Sequence, residues 1–280
     1  MKYTFSGHES FQCKSLWLKK GYDYAISGRS FNEDYAVVAL GVGKNMVSSI
    51  RFWLKAFGVL DDSNELSEIS RYIFDTNKGK DPYIEDVSTL WLLHYLLVNT
   101  RYASIYHLFF AEYCRTRHEF TKEQLLTYIR RLFTDKAFGN TPYNEHTISR
   151  DISTFLKNYE HPKVSKNFDD FSAVLSELNL IKLSGEQYSI NYVAKAKLHP
   201  LIFLFAILDS YPTDKVIEYP KLLELAAIFC LSQNELYEIF EWLHNYNQNI
   251  SFSNTAGEQL FTINESMDKW YVLNGYYNDN

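Results

Sequence analysis

Two short runs of apolar residues constrain the fold most strongly: "TLWLLHYLLV" (89–98) and "LIFLFAIL" (201–208). Each run is too short to cross a bilayer, because a membrane-spanning helix needs about 20 apolar residues. Both are therefore predicted to be helices buried on all sides. The 280 residues include only 11 Gly and 6 Pro, few for a protein rich in β-turns. We predict a mainly α-helical fold, in which the 46% hydrophobic content supports a large core.

Charge is distributed unevenly along the chain, although the net charge is only −6. Residues 1–60 contain eight Lys or Arg residues against four acidic ones, whereas residues 201–280 contain three Lys against eleven acids. A basic beginning and an acidic end predict different partners for the two ends. Because carboxylates repel phosphates, we predict that the acidic end binds a protein rather than DNA. A solvated acidic surface without a partner is the alternative.

The cysteines indicate a reducing compartment. Cys13, Cys114 and Cys230 lie far apart, are odd in number and show neither a C-x-x-C motif nor a zinc-binding spacing. Because the sequence also begins without a signal-peptide pattern, a cytoplasmic protein is expected. The sequence shows no glycine pattern of a dinucleotide-binding fold and no recognisable Ser/His/Asp or Cys/His spacing. We therefore predict neither a nucleotide cofactor nor covalent catalysis.

The stretch "ALGVGKNMVSSI" (39–50) is similar at first sight to a phosphate-binding loop. Such a loop needs G-x-x-x-x-G-K followed by Ser or Thr, so that backbone amides hold phosphate and a hydroxyl reaches Mg²⁺. Val38 occupies the position of the first glycine, and Asn45 occupies that of the hydroxyl residue. Two required features are missing, so the nucleotide-binding interpretation is weak.

A helix-turn-helix explains the same residues better. Leu40 would face inward from the first helix, and Gly41 would occupy the turn position that needs a positive φ. The second helix would run through "KNMVSSIRFWLKAFG" (44–58), anchored by Val47 and Ile50. A glycine that merely connects two core helices is the alternative.

The second helix of this pair would be a recognition helix, whose polar side chains meet base edges and phosphates. DNA contacts are therefore predicted for its polar and cationic residues, which are Lys44, Asn45, Ser48, Ser49, Arg51 and Lys55.

Two later segments repeat the pattern of a helix pair followed by a possible hairpin. The middle one comprises "EQLLTYIRRLF", "NEHTISRDISTFLKNY" and a hairpin around "SGE" (184–186). The last comprises "LLELAAIFCLSQNELYEIFEWLHNY" and "ISFSNTAGEQLFTINE", with Cys230 in the position of Gly41. Both hairpins contain Gly-Glu-Gln, at 185–187 and 257–259, which indicates a duplication or a coincidence. After the first helix pair, "NELSEISRYIF" is only a poor candidate for a wing.

These patterns predict helix-turn-helix or winged-helix-like modules with short β-hairpins, joined by helices. Three regions are expected: a helix-turn-helix-containing domain over 1–110, a winged-helix-like region over 111–200, and an acidic winged-helix-like module over 201–280.

Two acidic stretches could serve strand cleavage. "DPYIED" offers Asp81 and Glu85 as catalytic residues and, together with Asp86, as ligands of Mg²⁺ or Mn²⁺. On a helix, Asp81 and Glu85 would share a face. "SGHES" offers His8 as a general acid or base and Glu9 as a catalytic base or ligand.

Helix capping is the alternative explanation for both acidic stretches, and the one that the residues favour. Asp81 would be an N-cap followed by Pro82 in the first turn. Ser6 and Glu9 would form a capping box that opens a helix. His94, inside the first apolar run, is predicted to be a hydrogen-bonded core residue rather than a ligand.

Three stretches resemble a bacterial family of proteins encoded beside DNA phosphorothioation (DNA sulfur modification) genes. They are "FSGHESF" (5–11), "LGVGKNMVSSIRFW" (40–53) and "DPYIEDVSTLWLLHYLL" (81–97). The resemblance implies a part in phage defence and in sulfur modification of the DNA backbone. It also implies the nickase-like role of the single-strand system. Its implied partners are a cysteine desulfurase, an ATP-pyrophosphatase-like sulfur-transfer enzyme and an ATPase.

The sequence therefore leads to two hypotheses about function. The chain could nick DNA with a metal ion, or it could bind DNA and present it for sulfur incorporation without catalysis. A transcriptional regulator of the neighbouring genes is a third possibility.

Overall fold

The computed structural model describes residues 3–139, 141–160, 172–191, 198–255 and 258–279. Within these ranges the chain forms twelve α-helices and two small three-stranded antiparallel sheets. The prediction of a mainly α-helical fold is therefore confirmed. None of the described helices is long and apolar enough to cross a membrane.

Four helices form the N-terminal part of the fold. They are α1 (Trp17–Ile26), α2 (Tyr35–Leu40), α3 (Lys44–Ala56) and α4 (Glu68–Phe74). The predicted helix pair is present as α2 and α3, although α2 is short. The segment "NELSEISRYIF" contains α4, which Ser67 caps by accepting a hydrogen bond from Ser70 N. The weak wing candidate was therefore wrong, because a side-chain cap starts a helix there.

Two apolar helices form the centre of the core. These are α5 (Val87–Asn99) and α9 (Pro200–Ser210). Every residue from Ser88 to Val98 and from Leu201 to Leu208 is buried, so both helices are covered on all sides. This confirms the interpretation of the two apolar runs as core helices.

His94 lies within α5 and is fully buried, as predicted. Its Nδ1 lies 2.7 Å from the Tyr159 hydroxyl, and its Nε2 lies 2.7 Å from the Ile228 carbonyl. Burial lowers the pKa of His94 to about 4, because the charged imidazolium loses its hydration. His94 is therefore a satisfied core histidine that joins α5 to two later parts of the chain.

The middle of the chain forms a strand, a helix pair and a hairpin. A short α6 (Ser104–His107) continues into irregular helical turns and then β1 (Glu119–Phe120). The remaining elements are α7 (Lys122–Thr134), α8 (Glu145–Tyr159), β2 (Ile181–Ser184) and β3 (Gln187–Ile190). The sheet order is β1-β3-β2, with all pairs antiparallel.

The C-terminal part repeats this order of elements. It comprises β4 (Val216–Glu218), α10 (Tyr219–Ile228), α11 (Gln233–Tyr246), β5 (Ile250–Thr255), β6 (Glu258–Ile263) and α12 (Lys269–Asp279). The sheet order is β4-β6-β5, which corresponds to that of the middle sheet. Both hairpins are thus present where the sequence predicts them. The second Gly-Glu-Gln segment begins with Gly257, which lies outside the described residues.

The turn of the first helix pair is repeated in the last one. Gly41 has φ 64° and Cys230 has φ 55°, so both occupy the left-handed region. The following amide bonds back in the same way, from Val42 N to Val37 O and from Leu231 N to Ala226 O. Cys230 therefore takes the turn position of Gly41, as the sequence comparison predicts.

The C-terminal helix α12 contacts α4 and the beginning of α5. The Tyr276 hydroxyl donates to Asp86, and the Tyr277 hydroxyl lies 2.7 Å from Thr89 Oγ1. The Tyr72 hydroxyl donates to Asn274 Oδ1 at 3.0 Å. The first and the last of the three regions distinguished in the sequence are therefore in contact.

Candidate nucleic-acid interface and acidic sites

The cationic side chains of α3 lie on one side of the helix. Lys44, Ser48, Arg51 and Lys55 are separated by four, three and four positions, which places them on one face. Apolar side chains spaced three or four residues apart occupy the buried face, including Val47, Ile50 and Leu54. This periodicity explains why α3 forms here and why its polar face is exposed. Lys44, Asn45 and Ser48 are exposed, and Arg51 and Lys55 are partly exposed.

Arg51 is held in place by two asparagines. Its Nη1 donates to Asn32 Oδ1 and its Nη2 donates to Asn64 Oδ1, each at 3.0 Å. Lys55 Nζ donates to the Asp62 carbonyl at 3.3 Å. A guanidinium group has five N–H donors, so these two bonds leave three for another acceptor.

Ser49 departs from the predicted set of DNA-contacting residues. It is fully buried, and its hydroxyl donates to the His8 carbonyl at 2.9 Å. Position 49 falls on the apolar side of α3, between Val47 and Ile50. We therefore leave Ser49 out of the proposed interface.

Further cations lie close to the beginning of α3. Lys14 and Lys20 line a depression of about 280 Å³ together with Gly41 and Met46. The basic surface thus extends from α3 towards α1.

The segment "SGHES" does not begin a helix. Ser6, Gly7, Glu9 and Ser10 all have positive φ, between 49° and 104°. A capping box at Ser6 and Glu9 was therefore wrong, because N-cap residues have extended backbone and the residues after them have helical φ. A Cβ added to Gly7 would lie 2.6 Å from the Phe52 ring, so glycine is required there for space as well as for φ.

His8 is buried within this loop and paired with Asp151 of α8. Its Nε2 lies 2.8 Å from Asp151 Oδ1, and its Nδ1 accepts a hydrogen bond from Ser10 N. Asp151 also accepts the amide of Ser6 at 2.9 Å. Both ring nitrogens of His8 are thus engaged in hydrogen bonds. Of the two predicted catalytic residues His8 and Glu9, only Glu9 is exposed to solvent.

Sequence reasoning missed Asp151. It lies in "TISRDISTF", in the buried stripe of α8 formed by Ile148, Ile152 and Phe155. A single carboxylate within an apolar stripe was the available signal, because a buried acid needs a partner. Next to it, Arg150 Nε donates to Ser10 Oγ at 2.7 Å, and Nη2 contacts the same hydroxyl.

The acidic stretch "DPYIED" is a turn that precedes α5. Helix α5 begins after Asp86, whose side chain accepts Ser88 N at 2.6 Å. Asp81 is 7% exposed and accepts the amides of Glu85 and Asp86 at 2.8 Å and 3.0 Å. The expected helix start at Asp81 was therefore wrong, because the capping carboxylate is Asp86. Asp81 and Glu85 consequently do not share a helix face.

The carboxylates of Asp81 and Asp86 are both held by hydrogen bonds from the protein. Asp81 accepts one backbone amide on each oxygen, and Asp86 accepts both Ser88 N and the Tyr276 hydroxyl. The described ranges also contain no group of three or more His, Cys, Asp or Glu side chains placed to hold a metal ion.

Fold and site define a mainly α-helical protein with a cationic helix face and a buried His–Asp pair. The chain belongs to the family described as "Protein of unknown function (DUF4007)", which matches residues 5–277. No curated protein sequence shows a significant match.

Two solved structures share the fold. One, described as "SspB crystal structure", has a TM-score of 0.85 and 26% identity. The other, described as "Magnesium ion-bound SspB crystal structure", has a TM-score of 0.85 and 24% identity. Each similarity covers 99% of this chain and 88% of the other.

Proposed function

We propose that this protein is the DNA-binding component of a bacterial DNA phosphorothioation and phage-defence system, and that it contacts DNA through the exposed face of α3. The observation that carries the proposal is the alignment of Lys44, Arg51 and Lys55 on that face, with Arg51 oriented by two asparagines. The similarity to SspB, a component of such a system, agrees with the family that the three sequence motifs resemble.

The helix pair α2 and α3 supports this mode of binding. Only Gly41, Val42 and Gly43 separate the two helices, which is a turn length typical of a helix-turn-helix. In such motifs the second helix enters the major groove, and its N-terminal residues contact base edges. Lys44, Asn45 and Ser48 would then read or approach bases, while Arg51 and Lys55 would contact phosphates.

The middle and C-terminal parts are proposed to be winged-helix-like modules. Each has a strand, a helix pair and a two-stranded hairpin, with the first strand paired to the last. In the C-terminal module, helix α11 exposes Glu238 and Glu241 beside the 38% exposed Trp242. An acidic surface with an exposed aromatic residue suits a protein partner better than DNA. The sulfur-modification enzymes named above are the proposed partners.

Salt-dependent DNA binding tests the function. Each phosphate contact of a cation should contribute about 0.9 to the slope of log Kobs against log salt concentration. Lys44→Gln and Arg51→Gln are expected to weaken binding and to reduce this slope. Lys215→Gln removes an exposed charge from the acidic C-terminal module and serves as the matched control. Unchanged binding and slope in both α3 variants would exclude α3 as the DNA-contacting helix.

Metal-dependent DNA nicking is the second candidate function. The backbone of the loop at 6–10 favours the nicking hypothesis. Ser6, Glu9 and Ser10 are in the left-handed conformation there, and such strain is concentrated at functional sites. One similar structure is also described as magnesium ion-bound. Glu9 and Glu85, the exposed residues of the predicted catalytic set, are the candidates that substrate could reach.

Conversion of supercoiled plasmid to open circle in Mg²⁺, Mn²⁺ or EDTA tests the nicking proposal. Nicking that requires metal and is lost in Glu9→Gln or Glu85→Gln would establish an enzyme. Lys215→Gln protein, purified in parallel, controls for a contaminating nuclease. No nicking, or equal nicking by every variant, would leave a non-catalytic DNA-binding adaptor. A footprint confined to a promoter would instead favour the regulator.

A further inference from the structure

Three arginines from separate parts of the chain line one depression beside α3. The depression has a volume of about 490 Å³. Arg29 belongs to the loop after α1, Arg51 to α3 and Arg71 to α4. Glu65 also lines the depression, so the charged lining carries an excess of two positive charges. The volume lies within the range of about 300–1,000 Å³ that is typical of small-ligand pockets.

The arginines are positioned individually. Arg51 is held by Asn32 and Asn64 from both ends of its guanidinium group. The guanidinium carbon of Arg29 lies 4.2 Å from the centre of the Tyr35 ring. Arg71 is exposed in the last turn of α4. Among the residues that the structure describes, neither Arg29 nor Arg71 uses its side chain in a hydrogen bond or an ion pair.

This combination of charge and volume selects a particular kind of anion. An internal phosphodiester carries a single negative charge, whereas a phosphomonoester carries about 1.5 to 2 at neutral pH. Guanidinium groups bind phosphate oxygens in pairs of parallel hydrogen bonds, which gives Arg an advantage over Lys. Ser30 and Ser63 contribute hydroxyl groups to the lining, and Phe31 contributes a ring on which a base could stack.

We propose that this depression binds the phosphomonoester group of a nucleotide. The nucleotide can come from two sources, a phosphorylated end of a DNA strand or a free nucleoside monophosphate. The first source rests on the proposed DNA-binding function. Arg51 would then contribute both to the DNA-contacting face of α3 and to this depression. The second source is independent of DNA.

The affinity of the full-length protein for defined DNA ends tests the proposal. Duplexes of one sequence are prepared with 5′-phosphate, 3′-phosphate or only hydroxyl ends, and binding is followed by fluorescence anisotropy. The protein is expected to bind one of the two phosphorylated duplexes about tenfold more tightly than the duplex with hydroxyl ends. Arg29→Gln and Arg71→Gln should remove that difference. Arg131→Gln removes an exposed arginine of α7 and should retain it.

Adenosine 5′-monophosphate separates the two sources. If calorimetry detects its binding, and Arg71→Gln abolishes it, the site takes a free nucleotide. A preference for phosphorylated ends without binding of the monophosphate assigns the site to a strand end. Equal affinity for all ends together with no binding of the monophosphate would overturn the proposal. Binding of closed circular DNA, which has no ends, tests the proposed function separately.

Discussion

The imidazole Nε2 of His8 lies 2.8 Å from Oδ1 of Asp151, 143 positions further along the chain. Asp151 also accepts the amide of Ser6, and Ser49 of α3 donates to the His8 carbonyl. The loop of the "SGHES" motif is therefore fastened to α8 on one side and to α3 on the other. Because α3 carries the proposed DNA-contacting face, this loop connects that face to the middle of the protein.

Removal of the Asp151 carboxylate should destabilise the protein strongly. Asp151→Ala would leave the amide of Ser6 and the imidazole of His8 without their buried acceptor. We expect the free energy of unfolding to fall by about 2–4 kcal/mol. Urea denaturation measures it, and Glu9→Ala at the exposed neighbouring position should change it by less than about 0.5 kcal/mol. Unchanged stability together with a loss of plasmid nicking would instead assign the pair a catalytic role.

His94 should make the protein less stable in mild acid. Burial holds its folded-state pKa at about 4, below the ordinary value of 6.5. Between these values the unfolded chain binds the proton and the folded protein does not, so stability decreases as pH falls from about 6.5 to 4. The loss is on the order of 3 kcal/mol over this window.

Urea denaturation of wild type and His94→Gln at pH 7.5 to 4.5 measures this contribution. A glutamine side chain cannot titrate, so the variant should lose part of the acid sensitivity even though it is less stable at neutral pH. Half-buried His107 also has a pKa lowered to about 4 by burial and leaves some sensitivity in both proteins. If the free energy of unfolding falls equally with decreasing pH in both proteins, His94 does not control the acid response.

The two glycines around Val42 should respond differently to the same substitution. Gly41 has φ 64° whereas Gly43 has φ −67°, and an added Cβ would meet no atom within 4 Å at either position. Gly41→Ala therefore incurs only the cost of left-handed backbone, about 1–2 kcal/mol. Gly43→Ala should be close to neutral, because alanine adopts that backbone freely and restricts the unfolded chain. Thermal unfolding of both proteins checks this, and equal losses would contradict the assigned turn.

Charge neutralisation on α11 should separate partner binding from DNA binding. Glu238→Gln combined with Glu241→Gln is expected to reduce co-purification with the cysteine desulfurase or its associated enzymes, while affinity for DNA stays the same. Deletion from Tyr211 onward would not be a suitable alternative, because it removes the Ile228 carbonyl that His94 contacts. Lost DNA affinity without lost partner binding would reverse the proposed roles.

Much of the local structure could be predicted because its causes lie within a few residues. The turn at Gly41 and the hairpin around "SGE" follow from backbone preferences of glycine and from alternating side chains. The incorrect predictions of a helix start at Ser6 and at Asp81 also came from local patterns. Both residues have capping chemistry, but Asp81 accepts the amides of Glu85 and Asp86 within a turn, and the backbone amide of Ser6 donates to Asp151. A short motif cannot distinguish these outcomes from a helix start.

The sequence by itself determined the helix pair of α2 and α3, the two apolar runs that enter the core and the place where a left-handed residue ends a helix. These properties depend on periodicity and on local backbone energies. Only the tertiary structure decided that Asp151 meets His8, that Ser49 faces inward, and that Arg29, Arg51 and Arg71 line one depression. Such encounters depend on how loops close and helices pack, and side chains far apart in sequence leave no local pattern that records them.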